Sequence, residues 1–104
     1  MPELHPVVRL ETDAEVERGD FGRVTWRTLI SADRTPTAGL VLGVAEIPAG
    51  DDEPTRRHRH APPETYFVLN GRGIVTIDDA DHSLRPGSAV FVPSNAWQIG
   101  RAHV

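Results

Sequence analysis

Three side chains in one short stretch have the chemistry of a metal site: His58, His60 and Glu64. Successive side chains of a β-strand point to opposite faces, so a strand here would project His58 and His60 the same way, close enough to chelate one ion. Pro62 and Pro63 then interrupt the strand, and re-entry of the chain brings Glu64 back toward the pair. From Glu64 the alternation resumes and places Tyr66 and Val68 on the same face. Two imidazoles and a carboxylate on one wall suit a single divalent transition metal, and these ligands do not discriminate among Fe, Mn, Ni, Co and Zn. The chain contains no Cys, so thiolate ligands and disulfides are excluded. A lone His-x-His in a basic, Pro-rich stretch reads equally well as two solvated imidazoles. The spacing to Glu64, the Gly71 that follows and a second motif near residue 93 favour the metal reading.

Such ligands need a rigid wall, and the rest of the chain supplies strands for one. At 104 residues it has room for one domain, and nine Gly with nine Pro argue for frequent reversals. Strand-like runs are Val7 to Leu10, Arg23 to Ile30, Leu40 to Ile47, Thr65 to Leu69, Ile74 to Ile77, Ser83 to Arg85 and Ala89 to Val92. Asp13 to Arg18 suits one helical turn, and Leu40 to Ile47 is apolar enough for a buried strand. Asn70-Gly71 is the strongest short hairpin signal, after which Ile74 to Ile77 returns; Asp78 to Asp81 turns again. Short strands without an amphipathic helix predict an all-β sandwich or closed barrel.

The formal charge of −4 offers no basic field for nucleic acid, and there is no room for a helix-turn-helix unit. No stretch has the length and apolarity of a membrane-spanning helix, and no signal pattern opens the chain. A cytoplasmic protein is expected, in keeping with the absence of Cys.

The run His58-Arg59-His60, three residues, Glu64, six residues, Gly71 resembles the first motif of the cupins. Gly87, five residues, then Pro93-Ser94-Asn95-Ala96-Trp97-Gln98 resembles the second, and the resemblance covers roughly residues 22 to 98. It implies a double-stranded β-helix, or jelly-roll barrel, with the metal inside. It also implies a fourth ligand, a His, at the position held here by Gln98. An amide is a poor ligand for such a metal, so this departure is serious. Asn95 stands where the motif has Gly, a milder change because Asn tolerates a left-handed turn.

The resemblance divides the chain into an N-terminal arm and first strand (1–21), the barrel (22–98) and a tail (99–104). Ile99 to Val104 show no strand alternation and match the translation of a common sequencing adapter, ATCGGAAGAGCACACGTC. The expectation is a non-native tail, a barrel lacking its last strand or strands, and a natural His at position 98. Missing strands would leave open sheet edges and a less stable, more aggregation-prone chain.

Trp26 to Ile30, Gly39 to Ile47, the His-rich motif and Glu64-Thr65-Tyr66 are similar to the small cupin lyases that cleave dimethylsulfoniopropionate to dimethyl sulfide and acrylate. In those enzymes a Tyr two residues after the ligand Glu serves as the base, and Tyr66 matches it. The resemblance thus implies a small-molecule substrate, a carboxylate among the candidates, and β-elimination of its C–S bond. Trp26, Glu46 and Trp97 are candidates for the substrate pocket, and the Arg56-Arg57-Arg59 group reads as solvated loop. An aromatic filling the barrel is the plainer role for Tyr66. Another metal-dependent cupin enzyme, a dioxygenase or isomerase, and a non-catalytic binding module are the alternatives. A homodimer is a state open to small cupins.

Overall fold

The computed structural model describes residues 3–19, 22–50 and 59–102, with the side chain of residue 101 left aside. Chain contacts group these into two units, one drawn from Met1–Gly19 and Thr25–Glu46, the other from Asp20–Val24 and Ile47–Val104.

The first unit is a three-stranded antiparallel sheet in the order β1 (Glu17–Arg18), β2 (Thr25–Ile30), β3 (Leu42–Glu46). Its register slips by one residue after Thr28, at a bulge opposite Gly43 and Leu42. Gly43 sits so close to β2 that a Cβ would stand 2.8 Å from the Arg27 carbonyl oxygen, so only glycine fits there. Thr28 and Arg34 both donate to the Glu17 carboxylate at 2.7 Å, the Arg with two parallel bonds. Three sequence expectations change in this unit. The helical turn falls at Glu11–Asp13, where the Asp13 carboxylate accepts from the Leu10 N–H. Val7 to Leu10 has no partner strand and stays irregular. Leu40, Val41 and Leu42 are exposed, not buried: Leu40 and Val41 precede β3, and among the described residues nothing covers the face of Leu42.

The second unit holds a two-stranded sheet, β4 (Glu64–Phe67) with β7 (Ala89–Val92), and a three-stranded sheet in the order β6 (Ala80–Leu84), β5 (Gly73–Ile77), β8 (Gln98–Ala102). All pairings are antiparallel. Asp78 and Asp79 close the β5–β6 hairpin with φ of 46° and 70°, the double positive φ of a two-residue type I′ turn. Asn70-Gly71 closes no hairpin: β4 pairs with β7, and β5 pairs with β6 and β8. The turn there, with Gly71 at φ 80°, passes the chain from one sheet to the other. Gly73, Val75, Val92, Ala96 and Gln98 are the buried ones among the described residues of this unit, Val92 and Gln98 each only 2% exposed.

Gln98–Ala102 forms strand β8, although residues 99 to 102 carry no strand alternation. Pairing of this kind is made by backbone groups along the free edge of β5, and these bond without regard to side-chain alternation. Ala102 also bridges to Ala49 in parallel, with the Gly50 N–H donating to its carbonyl at 3.2 Å.

Candidate metal centre

The register of β4 on β7 places Glu64 opposite Val92 and Tyr66 opposite Val90. All four are at least partly buried, whereas Thr65, Phe67, Ala89 and Phe91 are exposed on the other face. The strand therefore does what its alternation predicts: Glu64 and Tyr66 share the inner side. Burial of the Tyr66 phenol, and then the charge and hydrogen bond of Glu64, raise its pKa above the ordinary value of 10.0.

His60 reaches the same place by another route. Residues 59 to 63 are irregular, so its position does not follow from strand alternation. The Nδ1 atom lies 2.9 Å from the Pro62 carbonyl oxygen, which can only accept, so Nδ1 carries the proton. The other ring nitrogen, Nε2, is in contact with Oε1 of Glu64. This donor pair, with one imidazole nitrogen fixed by a carbonyl, fits a divalent metal.

Gln98 enters from β8, whose inner face carries Gln98 opposite Ile77 and Gly100 opposite the buried Val75. Its Nε2 donates to Oε1 of Glu64 at 3.2 Å. The amide thus turns its donor end toward the carboxylate and holds Glu64; it does not aim its acceptor oxygen as a ligand would. His58 lies outside the described residues. Among the described residues no three His, Asp or Glu side chains meet, the pair His60–Glu64 being joined by Tyr66 and Gln98 instead.

The pocket candidates fall in both units. Trp97 lines a recess of about 70 Å³ with Thr76, Asp79, Gln98 and Ile99, too small for a substrate. Trp26 is half-buried on β2, between Glu17 and Ala45 in the first unit. Glu46 ends β3 opposite Thr25 and is exposed. A wider cleft of about 580 Å³ is lined by residues of β6 and β7, including His82, Leu84, Val90 and Phe91, and touches none of the candidate ligands.

Arg59 is missed by the sequence reading, which leaves it in solvent. Its guanidinium carbon lies 4.6 Å from the centroid of the Trp97 ring. The only sequence signal is the presence of a cation beside one motif and an aromatic in the other.

With this geometry in hand, comparison with known proteins is decisive about the family. The Cupin domain model of the Cupin_2 family matches residues 43–103, and the chain belongs to the cupins. A predicted oxalate decarboxylase from Thermotoga maritima superimposes with a TM-score of 0.75 at 19% identity, covering 94% of this chain and 90% of that one. That likeness establishes the all-β jelly-roll fold. The dimethylsulfoniopropionate lyase DddW of Ruegeria pomeroyi is 46% identical over 76 residues, 73% of this chain and 49% of that protein. An uncharacterised protein of Methanocaldococcus jannaschii is 32% identical over 53 residues, 50% of this chain and 41% of the other. The chain thus spans less than half the length of each of these curated relatives. Among the described residues no helix is long and apolar enough to cross a membrane.

Proposed function

We propose that the chain carries the site of a metal-dependent lyase that eliminates dimethyl sulfide from dimethylsulfoniopropionate or a closely similar β-sulfonium carboxylate. The observation that carries this reading is the placement of Tyr66 beside Glu64 on the inner face of β4, with His60 in contact with the same carboxylate. The 46% identity to a dimethylsulfoniopropionate lyase supports it.

His60 and Glu64 would hold the metal, with His58 as the second imidazole. A bound divalent cation would supply the positive charge that offsets Glu64, favours the Tyr66 phenolate and acidifies the α-proton of a substrate carboxylate. Tyr66 accepts the α-proton at its phenolic oxygen. The C–H electron pair becomes the second bond between the α- and β-carbons, and the C–S pair leaves with sulfur. The products are acrylate and neutral dimethyl sulfide, so atoms and charge balance. Half-burial of Tyr66 limits the access of water to it, and the alternation of β4 keeps its ring on the inner face beside Glu64.

The test is incubation with dimethylsulfoniopropionate and each of Fe²⁺, Mn²⁺, Ni²⁺, Co²⁺ and Zn²⁺, with dimethyl sulfide and acrylate measured together. Equal amounts of both products, absent in Tyr66→Phe, are expected. No product with any of these metals, from this chain and from Gln98→His, contradicts the proposal.

A further inference from the structure

Residues 59 to 63, which carry His60, are irregular, yet three consecutive ones are tied to the loop between β7 and β8. The Arg59 guanidinium stacks over the Trp97 ring at 4.6 Å. The Asn95 N–H donates to the His60 carbonyl at 2.9 Å. The Ser94 hydroxyl donates to the Ala61 carbonyl.

The loop is anchored well enough to act as a jig. Trp97 exchanges two hydrogen bonds with Asp78, its N–H donating to the carboxylate and its carbonyl accepting from the Asp78 N–H, both at 2.9 Å. Asp78 itself sits in the tight turn between β5 and β6. Ala96 is buried and its N–H donates to the Pro93 carbonyl at 3.1 Å, closing a turn around Asn95. Asn95 takes φ 62°, a left-handed conformation that Asn tolerates better than most residues, and this turn carries the N–H bonded to His60.

From these contacts we infer that Ser94, Asn95 and Trp97, with Arg59, form a clamp that positions His60, so that they set metal affinity without touching the metal. The consequence for affinity rests on the reading of His60 as a ligand. The clamp aligns the backbone of residues 59 to 61, and the Pro62 carbonyl then orients the ring through Nδ1. Atoms that orient a ligating imidazole typically change metal affinity by about 10- to 100-fold when removed.

Two measurements separate the clamp from the metal reading. The first is amide hydrogen exchange at Asn95 in the metal-free chain, read by NMR, which reports local opening. Arg59→Gln, at an exposed residue, should accelerate it about threefold, the scale of an exposed cation–π contact. Ser94→Ala should also accelerate it, and Ser94→Thr should restore the original rate. Unchanged exchange in Arg59→Gln and Ser94→Ala overturns the clamp, whatever the metal does.

The second is calorimetric titration with Mn²⁺, Ni²⁺ and Zn²⁺. Trp97→Leu should weaken binding about tenfold, and Trp97→Phe, which keeps an aromatic face, less. In a His60→Ala background Trp97→Leu should cause no further loss. An equal loss in that background overturns positioning through His60. If the unaltered chain binds none of the three metals, the metal reading fails, and the exchange rates still decide whether the clamp exists.

Discussion

Glu64 and His60 meet at one point but are held there by different physics. Glu64 lies on β4, where ladder bonds to β7 and the period of two decide its face, together with that of Tyr66. His60 lies on irregular backbone, where a stacked Arg59, an amide from Asn95, a hydroxyl from Ser94 and the Pro62 carbonyl do the same work. The first arrangement is cooperative and stiff. The second depends on several small contacts, each of which can be removed singly. A site built this way has a rigid base and an adjustable imidazole.

The largest effect is expected on the rigid side. Tyr66→Phe keeps the ring and removes the proton acceptor, so turnover of dimethylsulfoniopropionate should fall by about 10³-fold, within the usual range for a general base. Metal affinity should change little, and acrylate release with a parallel metal titration would separate the two. A large loss of affinity instead would make Tyr66 a ligand or a packing residue.

Next comes the residue that joins the two regions. Gln98 is buried and donates to Glu64, so Gln98→His replaces a donor to the carboxylate with a ligand beside it. Affinity for Ni²⁺ or Zn²⁺ should rise by about tenfold or more, the scale on which neighbouring groups tune a metal site. A fall would mean that holding Glu64 matters more than adding an imidazole.

Stability sharpens the contrast further. Val92→Ala, behind Glu64, should cost about 2 kcal/mol in urea unfolding, since Val92 is 2% exposed. Asn95→Val forces a β-branched residue into the left-handed region and should cost about 1–2 kcal/mol, with Asn95→Gly close to neutral. Equal costs for Asn95→Val and Asn95→Gly would remove backbone strain as the cause.

The smallest expected effect lies in the other unit. The Arg34 and Thr28 hydrogen bonds hold Glu17 at a pKa of about 2, well below its ordinary value of 4.5. A depressed carboxylate stabilises the fold above its unfolded pKa, and the contribution disappears as pH falls from 4.5 toward 2. Unfolding of the chain and of Glu17→Gln should therefore differ by a constant amount above pH 4.5 and converge below it. Glu17 is partly exposed and the difference should be small.

Much of the rigid side was legible in the residues themselves. The two-residue period put Tyr66 with Glu64, and the two motifs in order led to the jelly-roll fold. Asn70-Gly71 misled because a turn signal reports local backbone preference, whereas the choice between a hairpin and a crossing to another sheet depends on which edges are free. Leu40 to Leu42 misled because apolar composition does not distinguish a covered run from an exposed one. Residues 99 to 102 escaped because backbone pairing to β5 needs no side-chain pattern. The contacts around His60 escaped for a related reason: they link residues more than thirty positions apart through a carbonyl and a ring face, which leave no periodic trace.

The most direct test of the metal centre is calorimetric titration of the chain and of Glu64→Gln with Fe²⁺, Mn²⁺, Ni²⁺, Co²⁺ and Zn²⁺. Saturable binding of one ion per chain by at least one of these metals, weakened by about tenfold or more in Glu64→Gln and in His60→Ala while both variants remain folded, is the expected result. Binding unchanged by both substitutions, or no binding by the unaltered chain, would contradict a site built on His60 and Glu64.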